Sequence, residues 1–336
     1  MTARALAGRR SALTATAALV AAGALSGTTR AATDPAALPP LTVLRLTPSV
    51  YWVQGDLGPV SRANRGFNSN AGFVVTPAGV VVFDALGTPA LGRALLQAIR
   101  RVTRQPVRHV VVSHYHADHF YGLQAFARTG VQIWAGAKVR DYLASPAPVE
   151  RLVERRESLA PWVDRDSRIV PPTRFIETET VIALGGLRMR LLPVGPAHTA
   201  EDLMMMVEGA GEGVLFAGDL VFAGRVPFVG EADSRAWLAA IERLDRLTPR
   251  LMVTGHGPVS RDPLADLSLT RDYLRHVRSA MAAAVSDMTP FDEAYARTDW
   301  SRFADLPAFH AANRRNAYNT YLLMEREALQ PDRRGN

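Results

Sequence analysis

The stretch His114-Tyr115-His116-Ala117-Asp118-His119 places four potential metal ligands within six positions, directly after an apolar run, Val107–Ser113, that predicts a buried strand. In the extended turn that leaves this strand, the first two histidines point the same way, because alternate side chains of an extended chain share a face. They can therefore bind one metal ion together. The aspartate and the last histidine begin a helix, and this change of period directs them toward a second position. The stretch predicts two neighbouring metal ions.

Further ligands must come from elsewhere in the chain, because zinc takes four or five nitrogen and oxygen ligands and four residues cannot complete two sites. The chain contains no cysteine, which excludes thiolate ligands and disulfide bonds. Three candidates stand after strand-like runs, each close to a glycine: His198, Asp219 and His256. An aspartate after a strand is also a common helix cap, so Asp219 has a purely structural alternative. Five of the eight histidines occupy the six-residue stretch or these positions, which favours a metal site.

Strand-like runs and helical periodicities alternate along the chain and indicate an α/β fold. Strands are predicted at Val43–Leu46, Val50–Val53, Ala71–Thr76, Val80–Asp84, Val107–Ser113, Val131–Trp134, Phe175–Ile176, Val181–Ala183, Leu187–Pro193, Leu203–Glu208, Gly213–Ala217 and Leu251–Thr254. Helices are predicted from the Thr88 cap to Arg104 and at Ala137–Leu143, Val149–Leu159 and Ser234–Leu247. Two halves of strands flanked by helices predict a four-layer αββα sandwich, with sheet against sheet and helices outside.

The sequence predicts three segments: a leader, one main domain and a helical tail. We expect one domain over residues 42–260 and a helical C-terminal extension over residues 261–336 that packs on it, with breaks at Pro290 and Pro307. Four aromatic and imidazole side chains of the tail could close over the metal site, but packing against the sandwich is the preferred interpretation: Phe303, Phe309, His310 and Tyr318.

The N-terminus has the pattern of an export signal over residues 1–31. Arg4, Arg9 and Arg10 precede an apolar run of small residues, and Thr29-Arg30-Ala31 fits a cleavage site. The run is too short to span a bilayer, which needs about 20 apolar residues. Its weak hydrophobicity favours a twin-arginine signal over ordinary secretion. We therefore expect a periplasmic or secreted bacterial protein with no membrane span in its mature form.

The basic charge of the chain does not indicate a nucleic-acid partner. The net charge is +7, but residues 1–31 hold four arginines and no acidic residue, so the remainder carries about +3. A surface of such mixed charge on roughly 300 residues does not favour a patch that binds polyanions such as nucleic acid. A small-molecule substrate is the expectation, and the oligomeric state stays open.

These residues resemble the metallo-β-lactamase superfamily, because the stretch from His114 to His119 matches its signature His-x-His-x-Asp-His at every position. The resemblance as a whole covers roughly residues 42–260. The resemblance implies two Zn²⁺ per chain. The first would bind His114, His116 and His198, the second Asp118, His119 and His256, and Asp219 would bridge the pair. A bridging carboxylate is typical of the glyoxalase-II-like branch. Within the superfamily the chain is most similar to exported hydrolases found beside quinoprotein and sulfur-oxidation systems.

The ligand set predicts a hydrolase of an ester, thioester or amide. Two zinc ions about 3.5–4 Å apart can share a hydroxide whose pKa is near neutral, which then attacks the substrate. Asp118, next to this water, is the predicted proton acceptor. Tyr121 and Arg225 lie near the ligands in sequence and are candidate contacts for an oxyanion or a substrate carboxylate, although each has a structural alternative.

Two other activities remain open at this point. The Gly195-Pro196-Ala197-His198-Thr199 stretch is also similar to class B β-lactamases, but the first two subclasses have a cysteine where Asp219 stands. The third subclass lacks that cysteine and stays a candidate. A persulfide dioxygenase with a single iron held by two histidines and one carboxylate is the redox alternative, and the identity of the bound metal decides.

Overall fold

The computed structural model describes residues 38–329 except Thr129, Ala210, Glu212, Glu231 and Asp245. The predicted export signal over residues 1–31 lies outside the described residues, so it stays a prediction.

The first half of the chain forms one mixed sheet. Within the described residues its seven strands are neighbours in chain order: β1 (Leu44–Arg45), β2 (Val50–Val53), β3 (Ala71–Thr76), β4 (Gly79–Phe83), β5 (Val107–Val111), β6 (Gln132–Gly136) and β7 (Arg174–Ile176). The strands from β1 to β4 pair antiparallel, and those from β4 to β7 pair parallel. Parallel pairing brings the ends of β4 and β5 to one edge, where the histidine-rich stretch begins.

The second half of the chain forms the other sheet. In the part that the structure describes it contains β8 (Thr180–Leu184), β9 (Leu187–Pro193), β10 (Leu203–Glu208), β11 (Val214–Phe222) and β12 (Leu251–His256), in the spatial order β12-β11-β10-β9-β8. Only the β11 and β12 pair is parallel among these strands. Both of these parallel strands carry candidate metal ligands.

The helices cover the outer faces of the two sheets. They are α1 (Pro89–Val102), α2 (Ala117–Phe120), α3 (Val139–Ala144), α4 (Ala147–Ser158), α5 (Ser234–Leu244), α6 (Pro263–Ser286), α7 (Phe291–Arg297) and α8 (Phe309–Leu329), with a 3₁₀ turn at Tyr121–Ala125. As expected, the Thr88 side chain accepts a hydrogen bond from the Leu91 amide and Pro89 stands in the first turn of α1. A capped first turn satisfies one of the free amides and sets where the helix begins.

Apolar clusters on both faces of each sheet give four layers. Val74, Phe83, Met205 and Phe216 belong to the cluster between the sheets, where the rings of Phe83 and Phe216 stack with centroids 5.2 Å apart. Another cluster joins the outer face of the first sheet to α1, and a third joins the outer face of the second sheet to α5 and α6. The predicted αββα sandwich is confirmed.

The structure differs from the sequence prediction in β11. The predicted strand Gly213–Ala217 ended before Gly218, whereas the observed strand continues to Phe222. Gly218 has a φ of +55°, and the register against β12 shifts on both sides of it. A left-handed glycine lets the chain bulge and resume pairing. Asp219 therefore lies inside a buried strand, where its side chain can be aimed with little freedom.

The C-terminal helices pack against one another and against the second sheet. Val277, Met281, Ala317 and Met324 form a shared apolar cluster of α6 and α8. Two of the tail aromatics, Phe303 and Phe309, join the cluster over the second sheet, while His310 and Tyr318 are exposed. Among the described residues, no helix is both long and apolar enough to cross a membrane.

Candidate metal centre

Five histidines and two aspartates converge at one end of the two sheets. Their ligand atoms form two groups, within each of which all atoms lie inside 4.8 Å of one another. The first group is His114, His116, His198 and Asp219, and the second is Asp118, His119 and His256. The loop after β5 and helix α2 supply four of these residues, the loop after β9 supplies one, and β11 and β12 supply the others. The structure thus brings together every residue that the sequence predicted as a ligand.

In the first group three imidazole nitrogens face a common point. Nδ1 of His116 lies 3.0 Å from Nε2 of His114 and 3.0 Å from Nε2 of His198. At these distances the nitrogen lone pairs of neutral rings repel each other, unless a cation or a proton stands between them. Three such nitrogens suit a metal ion with tetrahedral nitrogen and oxygen ligands.

Asp219 connects the two groups. Its Oδ2 lies 3.4 Å from Nε2 of His198 and 3.3 Å from Nε2 of His256, and its Oδ1 lies 3.2 Å from Nε2 of His119. Oδ2 of Asp118 in turn lies 3.3 Å from Nε2 of His256. One carboxylate therefore reaches the donor atoms of both groups, which is the arrangement that a bridging ligand needs.

The donor atoms themselves fit a pair of bound cations. Nε2 of His119 and Oδ1 of Asp219 are buried and have no hydrogen-bond partner among the described residues. A buried polar atom without a partner is costly, so such atoms usually have a ligand or a water. The donor set contains only imidazole nitrogens and carboxylate oxygens, which suits zinc and does not exclude iron.

The remaining ring nitrogens of the histidines are held by the protein. Nδ1 of His119 lies 2.8 Å from Oδ2 of Asp84, and Nδ1 of His256 lies 2.6 Å from the carbonyl oxygen of Asn68. Both oxygens accept, so each ring donates from Nδ1, and Nε2 is the nitrogen that can bind a metal when the ring is neutral. A carboxylate or carbonyl behind a ligand histidine fixes its tautomer and orientation.

Asp84 also holds the start of the histidine-rich stretch. Its Oδ1 accepts from the Ser113 amide at 2.7 Å and its Oδ2 accepts from the Ser113 hydroxyl at 2.9 Å. Asp84 is 1% exposed and has a φ of +60°, a region that aspartate tolerates better than most residues. The turn after β4 thus fixes the turn after β5.

Asn68 and Ser69 fix the position of Asp118. The Asn68 amide donates to Oδ2 of Asp118 at 2.9 Å, and the Ser69 hydroxyl donates to its carbonyl oxygen at 2.5 Å. The Asn70 amide then donates to the carbonyl oxygens of Thr254 and Gly257 at 2.8 and 2.7 Å. One short turn therefore ties the first sheet to the end of β12.

Burial keeps the histidines of the first group neutral. It lowers the pKa of His114 and His116, and it lowers the pKa of His198 to about 3. For His114 the nearby imidazole of His119 adds to this effect, while Asp219 opposes it. Neutral imidazole is the form that coordinates metal.

In the second group the carboxylates and histidines stabilise each other's charged forms. Burial disfavours charge on all of them, but the surrounding carboxylates outweigh it and raise the pKa of His119 and His256. The same two histidines hold the pKa of Asp118 and Asp219 well below its ordinary value. The carboxylates are ionised, which is the form that binds a metal cation.

Gly255 permits the close approach of β12 to β11. A Cβ atom on Gly255 would lie 1.9 Å from Oδ1 of Asp219 and 2.8 Å from the carbonyl carbon of Gly218. Both distances are far below van der Waals contact, so no side chain fits. The glycine next to His256 therefore leaves room for the carboxylate that joins the two groups.

Two cavities open onto the ligands. The smaller has a volume of about 300 Å³ and reaches Asp118, Asp219 and His256. The larger has a volume of about 720 Å³ and reaches His198. His116 lines both, so the two groups of candidate ligands lie where the cavities meet.

The metallo-beta-lactamase superfamily profile matches residues 64–256, more than half of the chain. The chain belongs to the metallo-beta-lactamase superfamily. The match begins just before the Asn68 turn and ends at His256, so it contains every ligand described above.

Curated relatives are distant members of this superfamily. The linear primary-alkylsulfatase of Pseudomonas sp. (strain ATCC 19151) is 22% identical over 61% of the chain, and this match covers 45% of the relative. The metallo-beta-lactamase IND-1 of Chryseobacterium indologenes is 24% identical over 56% of the chain and 72% of the relative. The chain thus spans less than half the length of the alkylsulfatase.

Solved structures share the fold of this superfamily. The stereoselective inverting sec-alkylsulfatase Pisa1 of Pseudomonas sp. gives a TM-score of 0.66 at 17% identity, over 87% of the chain and 52% of that protein. A metallo-beta-lactamase from Pontibacter korlensis gives a TM-score of 0.52 at 24% identity, over 70% of the chain and 99% of that protein.

The two predicted substrate contacts have different surroundings. Arg225 is 4% exposed and lines the smaller cavity, with its Nη1 3.4 Å from Nδ1 of His256. Tyr121 is 3% exposed in the core beside α1 and is not among the residues that line either cavity. Its hydroxyl is buried without a hydrogen-bond partner among the described residues, and burial raises its pKa. Of these two residues, only Arg225 therefore reaches a cavity that opens onto the candidate ligands.

Sequence reasoning missed the groups around the ligands. Asp84 follows an apolar strand, as Asp219 was thought to, and that shared position was the available signal. Arg151, Phe228 and Arg315 line both cavities, but they come from α4, a loop and α8. Nothing in their local sequence marks them, because their proximity arises from packing of distant elements.

Proposed function

We propose that the chain is a zinc-dependent hydrolase that holds two Zn²⁺ and cleaves an ester, thioester or amide bond of a small molecule. The proposal rests on one observation: seven donor atoms form two groups that share the carboxylate of Asp219. His114, His116 and His198 would hold one ion, and the second group the other. Zinc bound by these residues would supply a Lewis acid for the scissile oxygen and a water molecule of lowered pKa.

The residues around the ions have separate roles. Asp118 accepts the proton of the attacking water, and the Asn68 amide at 2.9 Å keeps its carboxylate oriented for this. Oδ1 of Asn68 is buried without a partner among the described residues, and Asn68 lines the smaller cavity, so it is free to meet a substrate donor. Arg225 binds an anionic group of the substrate from the cavity wall.

A sulfate ester is a second candidate substrate, favoured by the charge of the smaller cavity. Arg151, Arg155, Arg225 and Arg315 line it, and Glu154 is the one acidic residue besides the ligands among its described lining. Glu154 is already paired with Arg151 and lies 3.9 Å from Arg155. The remaining positive charge suits an anion, and one curated relative is a linear primary-alkylsulfatase.

The other activities have weaker support. A class B β-lactamase is compatible with the relatives named for that activity, but Asp219 stands where the first two subclasses use cysteine. A single-iron persulfide dioxygenase needs three protein ligands, and seven donors in two groups exceed that number. We also propose export to the periplasm or outside, from the signal pattern of residues 1–31.

The test is hydrolysis by the purified chain before chelation, after chelation and after zinc is restored. The substrates are lactoylglutathione, 4-nitrophenyl acetate, 4-nitrophenyl sulfate and a chromogenic cephalosporin. We expect turnover of at least one ester or thioester that chelation abolishes and zinc restores. Turnover of the cephalosporin alone would select the β-lactamase, and chelator-insensitive turnover would contradict a metal mechanism.

Two variants separate the metal centre from a general loss of fold. Asp219→Ala removes the carboxylate shared by the two groups, so we expect loss of turnover by at least a hundredfold and loss of bound zinc. His310→Ala removes an exposed histidine outside both groups and is the matched control, with native turnover expected. Equal activity in the two variants would overturn the proposal.

A further inference from the structure

A row of asparagines on α8 holds the loop that follows β11. Oδ1 of Asn316 accepts from the Val229 amide at 2.9 Å, and its Nδ2 donates to the Pro227 carbonyl at 2.7 Å. One helical turn further on, Nδ2 of Asn319 donates to the Gly230 carbonyl at 2.7 Å. Asn316 is fully buried, so these bonds are shielded from water. The C-terminal helix thereby fixes the backbone on both sides of Phe228.

Phe228 lies between the metal ligands and α8. Its ring centroid is 6.1 Å from that of His116 in an edge-on arrangement. From the other side, the Arg315 guanidinium carbon stands 5.8 Å from the same ring centroid. Arg315 adjoins Asn316 on α8, so one helix both fixes the loop and contacts the ring that the loop carries.

Phe228 and Arg315 form part of the partition between the two cavities, because both line the smaller and the larger one. The smaller cavity has Arg225 on its wall, which is 4% exposed and whose Nε has no partner among the described residues. A buried guanidinium Nε without a partner requires an acceptor, and an anion in the cavity supplies one.

The larger cavity differs from the smaller one in charge, because Glu150, Glu154 and Asp233 line it together with Arg151 and Arg315 and leave no excess of positive charge. Tyr115 and Tyr142 line it with rings stacked 4.4 Å apart, beside Pro196 and Ala200. Aromatic and small apolar side chains bind the uncharged part of a substrate. The two cavities therefore suit the two ends of one molecule, with the metal ligands at their junction.

We propose that α8 is a specificity element of the metal centre: Arg315, together with Arg225, binds an anionic group of the substrate in the smaller cavity, and Asn316 positions Phe228 as the partition from the larger cavity. This inference rests on the proposed hydrolase function. It assigns the substrate class as an anionic ester with an aromatic or aliphatic second half. Asn316 acts through the loop and is a positioning residue.

The test compares zinc-loaded native enzyme with Arg315→Gln and with Arg314→Gln. Arg314, the adjacent exposed arginine, pairs with Asp292 on α7 and lines neither cavity among the described residues, so it is the matched control. The substrates are 4-nitrophenyl hemisuccinate, which is anionic, and 4-nitrophenyl butyrate, which is neutral. We expect Arg315→Gln to raise KM for the anionic ester about tenfold, the worth of one charge-assisted hydrogen bond, and to leave KM for the neutral ester unchanged. Equal KM changes for both esters, or none, would overturn the assignment.

Two variants test the partition. Phe228→Ala shortens a half-buried side chain and leaves the hydrogen bonds of the asparagines intact. Asn316→Asp keeps the oxygen that accepts from the Val229 amide but removes the side-chain NH₂ that donates to the Pro227 carbonyl. We expect both to reduce the ratio of kcat/KM between the anionic and neutral esters at least threefold. An equal fall in kcat/KM for both esters would show that these residues have a merely structural role.

Calorimetric titration with inorganic sulfate separates this inference from the proposed function. We expect Arg315→Gln to weaken sulfate binding about tenfold and Arg314→Gln to leave it unchanged. If the native enzyme hydrolyses neither ester, the proposed function fails while the sulfate comparison still decides on Arg315. Identical sulfate affinity in native enzyme and Arg315→Gln would overturn the anion site.

Discussion

Asp84 accepts a hydrogen bond from Nδ1 of His119 at 2.8 Å, and this contact sets which nitrogen of that ring faces the metal centre. The donor proton on Nδ1 leaves the lone pair on Nε2, the atom that lies 3.2 Å from Asp219. A residue that binds no metal thereby determines whether a ligand can bind one. The same carboxylate holds Ser113, whose hydroxyl lies 2.9 Å from Nδ1 of His114.

The first prediction concerns Asp84→Asn. Asparagine tolerates the φ of +60° as aspartate does, so the exchange isolates the charge. The amide cannot accept from both the Ser113 groups and Nδ1 of His119, so the His119 proton is no longer held on Nδ1. We expect zinc affinity at the second group to fall 10- to 100-fold. Competition with a chromophoric chelator measures it, and native affinity for both ions would contradict the role of Asp84.

Gly255→Ala tests the close approach of β12 to Asp219. The new Cβ would lie 1.9 Å from Oδ1 of Asp219, so the carboxylate or the strand must move. We expect loss of bound zinc and destabilisation by about 1–3 kcal/mol, the usual cost of overpacking. Gly213→Ala is the control, because its Cβ would meet nothing closer than Met206 Sδ at 4.0 Å. Similar melting temperatures and zinc content in the two variants would show that the contact is unimportant.

Asn68→Ala tests the orientation of Asp118. The variant removes the amide that donates to Oδ2 of Asp118 at 2.9 Å but leaves the carbonyl that accepts from His256. The ring of His256 stays fixed, so we expect about two zinc ions to remain, while kcat falls about tenfold through the lost orientation of the proton acceptor. Elemental analysis and steady-state kinetics give the two quantities. Loss of zinc in proportion to activity would instead assign Asn68 to metal binding.

Glu201 makes stability depend on pH. Its Oε2 accepts from the Val139 amide at 2.7 Å, but burial raises the pKa of the carboxyl from 4.5 to about 8, and nearby Asp202 adds to the shift. Between these two values the folded chain binds more protons than the unfolded one, so stability falls as pH rises. This contribution is fully present below pH 4.5 and is lost as pH passes 8.

Glu201→Gln removes that dependence, since the amide oxygen still accepts from Val139 and carries no charge. Between pH 5 and pH 8 we expect the free energy of unfolding of the variant to rise relative to that of the native chain by a few kcal/mol, because one pKa unit corresponds to about 1.4 kcal/mol. Urea unfolding at fixed zinc concentration measures the difference. Glu157→Gln is the control, because it makes the same substitution at an exposed position on α4. If the free energies of unfolding of Glu201→Gln and the native chain differed by the same amount at all pH values, the assignment would be refuted.

The sequence predicted the sandwich because alternation and helical spacing encode each element locally. It also pointed to seven ligands, since four crowd into one stretch and the others stand near glycines. It placed the end of β11 too early, because a glycine often ends a strand, whereas Gly218 supports a bulge inside this one. The cavity walls were beyond sequence reasoning, because Phe228 and Arg315 meet only where α8 packs on α6 and hydrogen-bonds to the loop after β11.

The number of zinc ions bound per chain tests the central claim most directly. Metal-free protein is titrated with Zn²⁺ against a chromophoric chelator, and elemental analysis of the loaded protein checks the count. The account predicts about two zinc ions for the native chain and about one for His198→Ala or His256→Ala, since each variant damages one group of donors. A single ion in the native chain, or one iron in the protein as isolated, would contradict the account.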